Sequence, residues 1–129
     1  MQAQEIQFED DIARNPYSVK LWLSYLAFKQ GSTSGSRYMI YERALKHLPR
    51  SYKLWHAYLQ ERTQRVESKS SASSKVKILI NTFERSLVHM HKMPRIWINY
   101  CDFLVSVHRG TETRKAFDRA LQALPITQH

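Results

Sequence analysis

The side chains best suited to binding a metal ion are two closely spaced histidines, His89 and His91, in a segment that also carries two methionines. Four further histidines are scattered along the chain, at His47, His56, His108 and His129. None of the six forms the HExxH spacing of a zinc helix, and a single cysteine cannot supply a cage of thiolate ligands. The pattern therefore predicts no metal site, and we expect no cofactor.

Two other features could indicate catalysis. The stretch GSTSGSR, residues 31–37, is rich in small residues but lacks both the spacing and the lysine of a phosphate-binding loop. It is better interpreted as a turn between helices. Cys101 could act as a nucleophile, but it falls in a helical packing stripe, where cysteine behaves as a small apolar residue. We therefore expect a protein that is not an enzyme and has no small-molecule substrate.

The elements that carry these residues are helices that repeat. The nine residues SVKLWLSYL from Ser18 return thirty-three positions later as SYKLWHAYL from Ser51, and a third copy is RIWINYCDFL, residues 95–104. Each copy places a tryptophan, a tyrosine and a third residue at i, i+3 and i+4, which is one face of an α-helix. We call this helix A, and its predicted core residues are Trp22, Tyr25, Leu26, Trp55, Tyr58, Leu59, Trp97, Tyr100 and Cys101.

A second helical pattern alternates with the first. It reads YERALKHLP from Tyr41, FERSLVHM from Phe83 and FDRALQALP from Phe117, and we call it helix B. An acid and an arginine follow each aromatic residue. Because isolated ion pairs on a helix surface contribute little, the recurrence indicates that one member of the pair is bound to a neighbouring helix. The aromatic residue and a leucine four positions later add to the predicted core Tyr41, Leu45, Phe83, Leu87, Phe117 and Leu121.

The alternation of the two patterns predicts an all-α fold, a right-handed α-solenoid of antiparallel helix pairs. We expect one repeat domain over residues 1–129 that forms the N-terminal part of a longer array. Its predicted parts are a degenerate leading half-repeat at 1–16, repeat 1 at 17–49, repeat 2 at 50–94 and repeat 3 at 95–125. The wider spacing in repeat 2 coincides with a serine-rich segment, so we expect a surface insertion at about residues 63–77.

The charge of the chain bears on its partners. Twenty lysines and arginines against eleven acids give a net charge of +9, which favours acidic protein surfaces or nucleic acid. The three tryptophans lie in phase with the packing stripe, so we interpret them as core residues rather than as a base-stacking platform. No apolar stretch is long enough to cross a bilayer, so we expect no membrane association. The lone cysteine fits a reducing compartment.

The two patterns together resemble the HAT repeat, the half-a-TPR motif of RNA-processing proteins. Four segments in order are similar to the N-terminal repeats of the Syf-type, XPA-binding pre-mRNA-splicing factor family: NPYSVKLWLSYLAFKQ, YERALKHLPRSYKLWHAYL, HMHKMPRIWINYCDFL and FDRALQALPITQH. The resemblance implies a nuclear scaffold of the spliceosome, within the Prp-nineteen-associated complex, with a link to transcription-coupled repair.

The resulting functional hypothesis is a non-catalytic scaffold that binds spliceosomal proteins. Residues of helix A opposite the tryptophan face are the predicted partner contacts, namely Ser24, Lys29 and Arg62. Two alternatives stay open. The chain could be a helical-repeat module that binds RNA directly, although we expect any RNA association to be indirect. It could also be a truncated fragment without independent activity.

Overall fold

The computed structural model describes residues 2–66 and 73–125. Over these residues the chain forms helices and contains no strand, which confirms the all-α prediction. The helices are α1 (Ala3–Arg14), α2 (Val19–Phe28), α3 (Ser34–His47), α4 (Tyr52–Val66), α5 (Ser74–Met90), α6 (Pro94–Ser106) and α7 (Gly110–Ala123). Helices α2, α4 and α6 carry the helix A pattern, and α3, α5 and α7 carry the helix B pattern.

The chain divides into two compact units, Met1–Tyr58 and Leu59–His129, and the division falls inside α4. We call them the N-terminal unit and the C-terminal unit. In the N-terminal unit α1 packs on α2 and α2 packs on α3. In the C-terminal unit α5 packs on α6 and α6 packs on α7. The repeat boundaries given above stay a prediction.

Side-chain caps set where most of the helices begin. Four helices are preceded by a serine or threonine whose side-chain oxygen accepts a hydrogen bond from the backbone N–H three residues later: Ser18, Thr33, Ser51 and Ser73. Such a cap satisfies one of the backbone donors that an α-helix leaves unpaired in its first turn. Helix α6 begins instead at Pro94, whose missing N–H needs no partner at that position.

The segment between α4 and α5 is shorter than the insertion that the sequence predicted. Helix α4 continues to Val66 and α5 begins at Ser74, so both ends of the predicted insertion at 63–77 are helical. The physical reason is local: Ser73 caps α5, and Val76, three residues later, is fully buried. Residues 67–72 lie outside the described part of the chain.

The core consists of the aromatic and aliphatic stripes of the helices. Its largest fully buried side chains include Trp22, Tyr58, Phe83 and Phe103. Buried side chains recur at helical spacing within α2, α3, α5 and α6, and the burial of their apolar area stabilises the packing of the helices. No helix in the described residues is long and apolar enough to cross a membrane.

The turn between α6 and α7 contains one residue in the left-handed backbone region, His108, with φ of 61°. Its N–H donates to Val105 O, and the N–H of Arg109 donates to Leu104 O. These two bonds form a Schellman motif, in which glycine is the preferred residue at the position that His108 occupies. A residue with a Cβ is disfavoured in this conformation by about 1 kcal/mol.

Replacing His108 with glycine should therefore raise the free energy of unfolding, by up to about 1 kcal/mol, because the left-handed conformation no longer strains a Cβ atom. Urea unfolding of the full chain measures the change. The matched control is Ser106→Gly, in the last turn of α6, which should lower the free energy of unfolding by roughly 0.5 kcal/mol through the poor helix propensity of glycine. If both variants shift the midpoint in the same direction, the backbone assignment at His108 is wrong.

Candidate functional site

Each tryptophan of the repeat fixes the turn that precedes its helix. The indole Nε1–H of Trp22 donates to Pro16 O at 2.8 Å, and that of Trp55 donates to Pro49 O at 2.7 Å. In the C-terminal unit, Trp97 donates to His91 O at 2.8 Å. All three indoles are buried, so each bond satisfies a polar atom that would otherwise be costly to remove from water. The tryptophans therefore have a structural role within the protein.

Each tyrosine ties its helix A to the helix B before it. The hydroxyl groups donate to carboxylates sixteen residues earlier, each at 2.6 Å: Tyr25 to Glu9, Tyr58 to Glu42 and Tyr100 to Glu84. The ring of the same tyrosine stacks on the aromatic residue that precedes the acid. The ring centroids are 5.3 Å apart for Phe8 and Tyr25, 4.8 Å for Tyr41 and Tyr58, and 4.9 Å for Phe83 and Tyr100.

Glu9 and Glu84 also receive an arginine from the next helix B. Arg43 on α3 donates both terminal nitrogens to Glu9 on α1, at 3.0 and 2.7 Å. Its guanidinium carbon lies 5.3 Å from the centroid of the Trp22 ring. One acid thus joins α1, α2 and α3. We call this group, Glu9 with Trp22, Tyr25 and Arg43, the N-terminal clamp.

The C-terminal unit contains the same arrangement. Arg119 on α7 donates to both oxygens of Glu84 on α5, at 2.7 and 2.9 Å, and stands 5.3 Å from the Trp97 ring centroid. With Tyr100 on α6, this C-terminal clamp joins α5, α6 and α7. The recurring acid and arginine of helix B therefore act in different contacts: the acid binds helices that follow it, and the arginine binds an acid that precedes it.

The electrostatics of the clamps stabilise one protonation state. Hydrogen bonds from Arg43 hold the pKa of Glu9 below its ordinary value, and Arg119 does the same for Glu84. Burial, followed by the bond to the carboxylate, raises the pKa of Tyr25 and of Tyr100. The acids are therefore ionised and the phenols protonated at neutral pH. These shifts move the groups away from the pKa that general acid–base catalysis requires, so the clamps are suited to holding helices together.

The structure places most of the predicted core residues in the interior. Three depart from the prediction: Phe117 is 56% exposed, Leu121 is 62% exposed, and Cys101 is half-buried. Burial still raises the pKa of the Cys101 thiol. The predicted core residues that are buried are Trp22, Tyr25, Leu26, Tyr41, Leu45, Trp55, Tyr58, Leu59, Phe83, Leu87, Trp97 and Tyr100.

The exposure of α7 has a physical explanation in the repeat. Tyr41 and Phe83, at the same register as Phe117, are each covered by the tyrosine of a following helix A. Among the described residues, no helix follows α7. Val105, 60% exposed on α6, lines an open groove with Phe117 and was not identified from the sequence. We call the surface formed by Val105, Phe117 and Leu121 the α6–α7 face.

The predicted partner contacts have different environments. Ser24 is exposed on α2, and Arg62 is half-buried on α4. Lys29 is half-buried, and its ammonium lies 3.0 Å from Glu5 Oε2 on α1. Its charge is therefore used inside the N-terminal unit, which the sequence could not show because the two residues are far apart along the chain. Within residues 2–66 and 73–125, no group of three or more histidines, cysteines or acids is placed to hold a metal ion.

The clamps predict a dependence of stability on pH. Because the pKa of Glu9 and of Glu84 is lower in the folded protein, their contribution is fully present above the unfolded value of about 4.3 and is lost as the pH falls through the folded pKa. The double variant Glu9→Gln/Glu84→Gln should therefore lose less free energy of unfolding between about pH 5 and pH 3 than the unmodified chain does. Urea unfolding across this range measures the difference.

The control for this experiment is Asp10→Asn/Asp102→Asn, which removes two exposed carboxylates outside the clamps. It should keep a pH profile close to that of the unmodified chain. A Glu9→Gln/Glu84→Gln profile that coincides with that of the control would contradict the role assigned to the clamps.

Comparison with known proteins identifies where this repeat arrangement occurs. A family described as the pre-mRNA-splicing factor Syf1/CNRKL1 N-terminal HAT repeat matches residues 4–129. The chain is 54% identical to pre-mRNA-splicing factor SYF1 of Dictyostelium discoideum over 97% of its length, and 49% identical to SYF1 of Homo sapiens over 98%. It is 43% identical to pre-mRNA-splicing factor cwf3 of Schizosaccharomyces pombe over 95% of its length.

The chain spans about 15% of the length of the first two relatives and 16% of the third. The similarity therefore concerns one region of much longer proteins, and within that region it extends over nearly every residue of this chain. The family match covers α2 to α7 and all but the first residue of α1, and it includes both clamps. The chain belongs to the Syf1/CNRKL1 N-terminal HAT-repeat family.

Proposed function

We propose that the chain is a non-catalytic, protein-binding scaffold that acts in pre-mRNA splicing in the nucleus. The observation that carries the proposal is the identity of 49–54% to proteins named as pre-mRNA-splicing factors, over 97–98% of the chain. Identity of this degree, in an alignment that covers nearly the whole chain, supports a shared role for the matched region. The partners proposed are spliceosomal proteins, in the Prp-nineteen-associated complex, and a further role in transcription-coupled repair follows the same resemblance.

The chemistry of the repeated residues supports a binding role. The tryptophans, tyrosines, acids and arginines that recur are those that hydrogen-bond and stack between helices of one unit. Repeated helix packing of this kind is typical of helical-repeat proteins, which use extended surfaces for binding. The outward residues are then available for partners, among them Ser24 on α2.

The α6–α7 face supports the further proposal that this region is part of a longer array. Phe117 and Asp118 hold the register of the aromatic–acid pairs Phe8–Glu9, Tyr41–Glu42 and Phe83–Glu84. Each of those three pairs binds a tyrosine of a following helix A. We propose that the α6–α7 face receives a helix of the same Trp-x-x-Tyr type, with Asp118 as the acceptor of its tyrosine hydroxyl.

An extended chain tests this proposal about the array. A copy of residues 54–66 appended after His129 places its tyrosine sixteen residues beyond Asp118, the separation found in all three existing contacts. The extension should raise the urea midpoint and slow amide hydrogen exchange in α7, because Phe117 and Leu121 become covered. The control extension carries alanine in place of its tryptophan and tyrosine. Equal midpoints for the two extensions would contradict the proposal.

Direct binding of RNA is the second candidate function, and the net charge of +9 favours it. Exposed cations on the N-terminal unit, including Lys20 and Lys46, add to the positive potential. Contacts to phosphates would make binding fall steeply with salt, whereas protein contacts through apolar surface would be less sensitive.

Affinity purification separates the two functions. The tagged full chain is incubated with nuclear extract, with and without ribonuclease, and the retained proteins are identified by mass spectrometry. A protein-binding scaffold should retain pre-mRNA-splicing proteins after ribonuclease treatment and at about 0.3 M salt, where phosphate contacts are strongly weakened. Loss of these proteins on ribonuclease treatment would favour the RNA-binding function. Absence of splicing proteins in both arms would contradict the proposed role in splicing.

A further inference from the structure

The N-terminal unit contains a long segment with almost no acid. Residues 12–58 carry eight lysines and arginines against a single acid, Glu42, whose carboxylate accepts the Tyr58 hydroxyl. The Arg14 guanidinium lies 3.6 Å from the Asp11 carboxylate. Three further cations are bound inside the unit, namely Lys29, Arg37 and Arg43. The other four are exposed, and in the part of the chain that the structure describes they have no hydrogen-bond or ion-pair partner: Lys20, Lys46, Arg50 and Lys53.

These four side chains lie at one end of the unit. They belong to the start of α2, the end of α3, and the turn and first residues that lead into α4. Ring contacts join the start of α2 to the end of α3, because the centroid of His47 is 5.9 Å from that of Tyr17 and 6.3 Å from that of Trp22. A short turn, residues 48–51, connects the end of α3 to α4. The unpaired cations are therefore neighbours in the fold as well as in the sequence.

One of these cationic positions recurs with the repeat. Lys20, Lys53 and Arg95 are each the second residue of a helix A, two positions before its tryptophan. The first turns of these three helices contain no acid. An acid is the residue that stabilises a helix at this end, and a cation there is unfavourable because the helix dipole is positive. Helix stability therefore does not explain why a cation recurs at this position.

An exposed aromatic ring lies beside the cations of the N-terminal unit. Tyr17 is three residues before Lys20 and is 68% exposed, and its ring meets the exposed ring of His47 at an interplanar angle of 89°. Most of the tyrosine surface is therefore open to a ligand. The residue at the same position of the C-terminal unit, five before Trp97, is Lys92, which donates to a backbone carbonyl. The combination of ring and unpaired cations is specific to the N-terminal unit.

We propose that this surface binds single-stranded RNA. We call it the basic edge, and it consists of Tyr17, Lys20, Lys46, Arg50 and Lys53. The four cations contact phosphate groups, and the tyrosine ring stacks on a base. The three tryptophans are buried and cannot take that role, whereas Tyr17 lies outside the buried stripe of α2. The proposal goes beyond the protein-binding function proposed above and does not depend on it.

Two observations favour an RNA strand over an acidic protein segment. Each nucleotide supplies both a phosphate group and a flat ring, which matches the pairing of unpaired cations with the exposed Tyr17, whereas an acidic side chain supplies charge alone. The cations at Lys20 and Lys53 recur with the repeat, which suits a ligand whose charges recur along its backbone. A single strand is favoured over a duplex, because paired bases are stacked on one another and are closed to the tyrosine.

Fluorescence anisotropy of a labelled dodecauridylate strand, titrated with the full chain, tests the proposal. Binding should saturate with Kd on the order of 10 µM at about 0.1 M salt, and four phosphate contacts should give a slope of about −3 for the logarithm of the association constant against that of the salt concentration. The variant Lys20→Gln/Lys46→Gln/Lys53→Gln should weaken binding at least about tenfold and reduce the slope to about −1. Absence of saturation below about 1 mM protein would overturn the proposal.

A matched control separates the basic edge from the net charge of the chain. The variant Lys75→Gln/Lys77→Gln/Lys115→Gln removes three exposed lysines of α5 and α7, so its net charge equals that of the first variant. It should weaken binding by less than about threefold and keep the salt slope, because distant exposed charges are screened. Equal losses of affinity in the two variants would overturn the proposal, since RNA would then respond to net charge alone.

The tyrosine ring is tested separately. Tyr17→Leu should weaken binding at least about fivefold without changing the salt slope, because it removes a stacking surface and no charge, whereas Tyr17→Phe should bind like the unmodified chain. Unchanged affinity in Tyr17→Leu would overturn the stacking role. Tighter binding of a dodecaglutamate peptide than of the dodecauridylate strand would overturn the assignment to RNA in favour of an acidic protein segment.

This test and the affinity purification fail separately, because the titration contains only purified protein and RNA. If the strand does not bind while splicing proteins are still retained after ribonuclease treatment, the assignment of the basic edge is wrong and the scaffold function stands. If the strand binds as expected while no splicing protein is retained, the assignment of the basic edge stands and the role in splicing is wrong.

Discussion

The packing of both units depends on a carboxylate that accepts hydrogen bonds from two other helices. Glu9 and Glu84 each bind one tyrosine hydroxyl and both terminal nitrogens of one arginine. Removing a carboxylate from water is unfavourable unless its oxygens are satisfied, and here charge-assisted bonds satisfy them. The tyrosine and the arginine in turn depend on the acid, because its loss would leave a buried hydroxyl and a partly buried guanidinium without their acceptor. Three helices are held in one register by a single side chain.

The positions of the clamp residues explain how far the fold could be predicted from sequence. The Trp-x-x-Tyr and aromatic-to-leucine spacings are local, so periodicity alone identified the helices and most of their buried faces. The recurrence of the acid and arginine indicated a contact with a neighbouring helix. Its partner could not be identified, because Glu9 and Arg43 are thirty-four residues apart and no local rule connects them. The sequence therefore predicted that the acid–arginine pair contacts a neighbouring helix, but it did not identify the partner residues.

The structure also shows features that the local pattern of the sequence did not contain. The burial of Phe117 and Leu121 was predicted from the apolar pattern of α7 alone. Both side chains are exposed, because no described helix packs against that face of α7. The pairing of Lys29 with Glu5 on α1 was not visible in the sequence, and the role of Lys29 as a partner contact stays a prediction. Composition predicted a surface insertion at about residues 63–77, and both ends of that range are helical because α4 continues to Val66 and α5 begins after the cap at Ser73. The exposure of α7 and the Lys29–Glu5 pair depend on what neighbouring helices supply, whereas the start of α5 depends on its local cap.

The sequence separation of the clamp contacts has a consequence for how the chain folds. Every contact described in the clamps joins residues no more than thirty-five positions apart, and the indole bonds join residues six apart. Proteins dominated by such short-range contacts have low contact order and fold quickly. Each group of three helices can therefore assemble as soon as its own residues are available, Ala3–His47 for the N-terminal group and Ser74–Ala123 for the C-terminal one. During synthesis the N-terminal group would form while the remainder of the polypeptide is still being translated, which limits the time that its aromatic surface is open to aggregation.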